Sequence, residues 1–80
     1  MKNAGIFDIG GFTEFLRIHQ TEHVDLRKMI SASNMDWKEL MTKISQIPTI
    51  RGVCISKTRA PQPLTQWFQT NETNIELQLL

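Results

Sequence analysis

The segment from Asp36 to Pro48 constrains the fold more than any other. Trp37, Leu40, Met41, Ile44 and Ile47 recur at helical spacing and form one apolar stripe. Glu39, Thr42, Lys43 and Gln46 lie opposite, flanked by Lys38 and Ser45. Asp36 can cap the helix by accepting from a free backbone N–H. Glu39, three residues on, completes a capping-box pattern with Asp in place of Ser or Thr. Pro48 disfavours helical backbone just before it and ends the run. An amphipathic helix over 36–47 must bury its tryptophan side, so the rest of the chain has to supply a core.

The flanking segments point to what that core is made of. Phe12, Phe15, Leu16 and His19 share one face of a first helix, expected from about Gly11 to Gln20. His23-Val24 reads as a short extended piece. Asp25 then caps a second helix carrying Leu26, Met29 and Ile30, and the polar run Ser31 to Asn34 ends it in a tight turn. Ile50 to Lys57 is rich in β-branched residues and reads as a strand. Pro61 and Pro63 make Thr58 to Pro63 a loop, after which Leu64 to Gln69 reads as a returning strand. Ile75, Leu77 and Leu79 alternate with Glu76 and Gln78. That tail fits a third hairpin strand, a dimer strand, or a helix with Leu79-Leu80 turned inward.

Eighty residues make one small domain, here a core over 12–68 with a strand-like or dimerisation tail over 69–80. A chain this short buries only about 60–65% of its unfolded surface, so self-association would add useful burial. Cys54 is the single cysteine, which excludes an internal disulfide and fits a reducing compartment. No apolar run approaches the roughly 18 residues of a membrane span. The N-terminus lacks a signal-peptide layout, so a cytoplasmic protein is expected.

Net charge is +1, but its distribution is uneven. From Asp36 to Pro63 the cations are Lys38, Lys43, Arg51, Lys57 and Arg59, opposed only by Asp36 and Glu39. From Leu64 onward there is no basic residue, only Glu72 and Glu76. A local basic excess matters more to phosphate binding than the total.

This order of elements resembles the small winged helix-turn-helix regulators of bacteria and their mobile elements, including the short regulators of pilus operons. The resemblance covers roughly Phe12 to Phe68. It rests on Phe12, Phe15 and Leu16, on Leu26, Met29 and Ile30, on the capped helix Asp36 to Ile47, and on Arg51-Gly52-Val53. It implies an α+β fold of three helices and a small antiparallel β-hairpin wing. It also implies a reading helix over 36–47 in the major groove of double-stranded DNA. Lys38, Thr42, Lys43 and Gln46 would then face the DNA, with Lys57 and Arg59 on a wing around 57–63. The implied function is a transcriptional regulator acting as a dimer, whose paired half-sites add affinity.

A second reading keeps that fold but makes the chain a protein-binding adaptor or inhibitor, phage- or plasmid-encoded. Its contacts would be the helix 36–47 face or the C-terminal strand. The weak net charge and Glu39 favour it. Trp67 and Phe68 are adjacent, so on a strand one of them faces away from the core. With Ile75, Leu77 and Leu79, Trp67 marks the expected partner or dimer surface.

Other signals have bland readings. His19 to His23 spells H-x-x-E-H, an inverted zinc-peptidase pattern, but it straddles a helix end and lacks a distant third ligand. His19 is expected at the core edge and His23 exposed. Cys54 lacks an activating neighbour in sequence and reads as a small hydrophobe. Asn71-Glu72-Thr73 matches a glycosylation acceptor, without consequence in a chain lacking a secretion signal. Gly10-Gly11 lacks the lysine of a phosphate loop. No catalytic pair, metal set or cofactor motif is visible, and no enzyme is expected.

Overall fold

The computed structural model describes residues 8–27 and 35–80. Their elements are α1 (Ile9–Ile18), β1 (His23–Asp25), α2 (Trp37–Ile44), β2 (Gly52–Ile55), α3 (Gln62–Thr70) and β3 (Glu76–Leu79). The strands form one sheet in the order β1-β2-β3, and both pairings are parallel. The domain is α+β, but it is not a winged helix-turn-helix. The antiparallel hairpin expected around 57–63 is replaced by a turn leading into a helix.

The cause lies in the two prolines. Pro61 is the extended N-cap of α3 and Pro63 sits in its first turn. The first N–H groups of a helix have no internal partner, so proline costs nothing there. Prolines that read as the end of a strand therefore begin a helix. Leu64, Trp67 and Phe68 then fall at i, i+3 and i+4, and both rings turn toward the core. Trp67 is buried and Phe68 half-buried, their rings edge to face with centroids 5.1 Å apart. The expected strand over Leu64 to Gln69 is thus α3. The helix between them gives β2 and β3 the long crossover that parallel strands need and a hairpin cannot supply, and the two strands run parallel.

α1 starts two residues before its expected onset, so Gly10-Gly11 lies in its first turn rather than breaking the chain. It closes on Gln20 in the left-handed region (φ 51°). Thr21 N–H donates to Leu16 O (3.1 Å) and Gln20 N–H to Arg17 O (3.2 Å). That is a Schellman ending, with glutamine in the place glycine usually takes. α2 begins as expected but ends at Ile44, three residues short of Ile47: Asp36 Oδ1 accepts from Glu39 N–H at 3.1 Å, and Trp37, Leu40, Met41 and Ile44 are buried. The extended piece at His23-Val24 is β1. Asp25 ends β1 and its carboxylate accepts from Arg27 N–H (2.9 Å); the rest of the expected second helix, with Met29 to Asn34, lies outside the described residues.

Register sets the faces. Val24 pairs with Val53, which pairs in turn with Leu77, while Asp25 pairs with Cys54, which pairs with Gln78. Side chains alternate along a strand, so Val24, Val53 and Ile55 point one way and are buried. His23, Asp25, Glu76 and Gln78 point the other way and are exposed. Parallel crossovers in one direction put their helices on one side. α2 packs between α1 and α3 in that layer. The core of Leu26, Leu40, Met41, Ile44, Ile55 and Leu64 lies between the layers, fully buried. Among the described residues no element packs on the second sheet face.

Candidate functional site

The two free edges of the sheet differ in chemistry. In β1 the backbone of residues 22 and 26 turns inward: Glu22 O accepts from Arg51 N–H (2.7 Å), and Leu26 N–H donates to Cys54 O (2.9 Å). Asp25 lies on the outer edge with its carboxylate engaged. It accepts from Arg27 N–H (2.9 Å), Nε (3.0 Å) and Nη2 (2.8 Å). A three-residue strand flanked by a charged pair is a blunted edge.

β3 is not blunted in this way. Glu76 N–H donates to Arg51 O (2.9 Å), Leu80 N–H to Ile55 O (2.9 Å), and Leu80 O accepts from Lys57 N–H (3.0 Å). Residues 76, 78 and 80 therefore bond inward, and alternation turns the N–H and C=O of Leu77 and Leu79 outward. Among the described residues those outward groups have no partner. The side chains beside them are apolar, with Leu79 45% and Leu80 51% exposed. α3, at the β3 end of the helix layer, is built from QPLTQWFQT and carries no charge. No charged residue occurs between Arg59 and Glu72.

The open sheet face is polar. Asp25 and Cys54 are register partners on it. The Arg27 guanidinium, then the Arg27 N–H, hold the Asp25 carboxyl far below the usual carboxylate range. Burial, and then the adjacent Asp25 charge, push the Cys54 thiol up. Cys54 is thus a thiol held back from ionising, the opposite of an activated nucleophile. Gly52 keeps the centre of the face flat, since a Cβ there would sit 3.2 Å from Glu76 O and 3.3 Å from His23 Cδ2. Among the described residues no group of three His, Cys, Asp or Glu side chains could hold a metal.

The residues expected at DNA are dispersed. Lys38 and Thr42 are exposed on α2. Lys43 is half-buried and lines a cleft with Gln46, Thr13, Glu14 and Arg17. Lys57 and Arg59 lie in the turn after β2, at the end of the sheet where the strands finish. Because α2 returns against the strand direction, Gln46, two residues past its C-terminus, lies toward the opposite end.

Of the expected partner surface, Trp67 (6% exposed) and Ile75 (8%) lie in the core, and Leu77 is half-buried. Leu79 is exposed. The charge-free stretch from Ala60 to Asn71 is a sequence signal that the loop over Thr58 to Pro63 and the strand over Leu64 to Gln69 leave unused. The H-x-x-E-H residues fall on three different pieces. His19 caps the end of α1 and is exposed, its ring 4.2 Å from that of Phe15. Glu22 lies in the connection and His23 on β1.

Among the described residues no helix is long and apolar enough to cross a membrane. No protein family, curated protein or solved structure was found to match the chain.

Proposed function

We propose that the chain is a protein-binding module that takes an extended segment as an added strand along β3. One observation carries this reading: β3 leaves the backbone groups of Leu77 and Leu79 unpaired beside the exposed Leu79 side chain. Strand addition uses such an edge, with backbone bonds giving affinity and alternate side chains giving selectivity. The blunted β1 edge directs the addition to one side. Duplex binding was expected from a reading helix joined to a wing, and the described residues hold no hairpin to complete that pair.

Selection of random displayed peptides on the immobilised protein tests the reading. Selected sequences should alternate apolar and polar residues. Leu79→Lys should weaken them at least tenfold, and Lys38→Glu should leave them unchanged. Peptides indifferent to Leu79→Lys would overturn it. So would salt-sensitive retention of duplex DNA that disappears in Lys38→Glu.

A further inference from the structure

We propose that the strand added along β3 is the β3 of a second copy, antiparallel about a twofold axis through Gln78. The inference rests on the reading of β3 as a docking edge and names what docks there.

Three features favour a second copy. Leu77-Gln78-Leu79 reads the same in both directions, so an axis at Gln78 sets each Leu77 beside the second copy's Leu79. These are the residues whose backbone groups point outward, so each pair exchanges both N–H···O bonds. Gln78 meets its own copy across the axis.

Charge permits the contact. α3, which flanks the edge, carries none, and depletion of charge marks the centre of interfaces. Glu76 is the charged residue within β3. The antiparallel register places it opposite Leu80 of the second copy. The two Glu76 side chains are then about 14 Å apart, four strand rises along and one strand spacing across. That exceeds the screening length of about 8 Å at physiological salt.

The assembly also closes. Pairing two β3 edges gives a six-stranded sheet whose ends are both β1, the edge guarded by Asp25 and Arg27. A twofold contact that leaves only blunted edges stops at two chains. The surface of Leu79, now 45% exposed, is covered in the process.

Mass measured by light scattering, from micromolar to millimolar protein, should rise toward twice the 9.3 kDa of one chain. Leu79→Lys should return it to one chain while leaving the circular dichroism spectrum intact. Register is read by cross-linking in a Cys54→Ser background with oxidised glutathione. Gln78→Cys should form a covalent dimer at least tenfold faster than Glu76→Cys. A single-chain mass at every concentration, or equal cross-linking of the two variants, overturns the second copy. If selected peptides still depend on Leu79 in that event, the edge reading stands and only its occupant is wrong. If they do not, both fall.

Discussion

Asp25 and Cys54 stand opposite each other on β1 and β2, the thiol beside a carboxylate that Arg27 holds ionised. Burial raises the thiol pKa first and the Asp25 charge raises it further. The thiolate is the nucleophile, so Cys54 should alkylate with iodoacetamide at pH 8 more slowly than an unhindered cysteine peptide. Asp25→Asn removes the negative neighbour and should speed the reaction several-fold. An unchanged rate would mean that burial alone suppresses the thiol.

The same carboxylate has a consequence in acid. Its pKa is lower in the folded chain than in the unfolded one. Its contribution is therefore present above the ordinary carboxylate pKa of about 4 and is lost as pH falls below it. Asp25 is exposed, so the effect is small. The urea midpoint of Asp25→Asn should fall less between pH 6 and pH 3 than that of the unaltered protein. Equal falls would show that the pair contributes nothing.

Gln20 holds a conformation that glycine adopts without cost. Its N–H and that of Thr21 close α1, so the strain is imposed by the helix ending. Gln20→Gly should stabilise the domain by about 0.5–1 kcal/mol, the relief of left-handed strain exceeding the added freedom of the unfolded chain. Thermal unfolding measures it, and a lower Tm would place the cost of Gln20 elsewhere.

At Gly52 the neighbours reverse the sign. An added Cβ meets the carbonyl of Glu76 on one side and the His23 ring on the other. The ring can swing away, but the carbonyl belongs to the strand paired with β2. Gly52→Ala should destabilise by about 1–2 kcal/mol, in the range of overpacked sites. His23→Ala should recover only part of that loss. Full recovery would show that the carbonyl yields freely.

Local signals carried the legible part of the fold. The Asp36 carboxylate bonds Glu39 N–H as the capping pattern requires, and the Trp37-Leu40-Met41-Ile44 stripe is buried. Val53 and Ile55 mark a strand, and the alternation of Ile75 to Leu79 is a strand pattern that the sequence leaves open against a helix; both are strands. Their direction was not legible, because alternation is the same in parallel and antiparallel strands. Direction depends on what lies between them, and there Pro61-Gln62-Pro63 carries opposite meanings at a strand end and at a helix start. A strand in place of the helix over Leu64 to Gln69 thus makes a hairpin of a parallel sheet. The candidate site was half legible: Leu79 was placed at the surface, whereas Trp67 and Ile75 were expected there and are core.

That helix can be tested directly at Gln66, which is exposed at the middle of α3. In a helix, Gln66→Pro removes a backbone bond and clashes with the preceding turn, at about 3 kcal/mol or more. Gln66→Gly should cost roughly 0.5–1 kcal/mol and Gln66→Val a few tenths, the order set by helix propensity. In a solvent-facing strand position the order changes, since valine is favoured there and an edge can tolerate proline. Urea unfolding of the three variants separates the cases. A stabilising valine together with a mild proline would restore the hairpin, and with it the wing that a DNA-reading α2 would need.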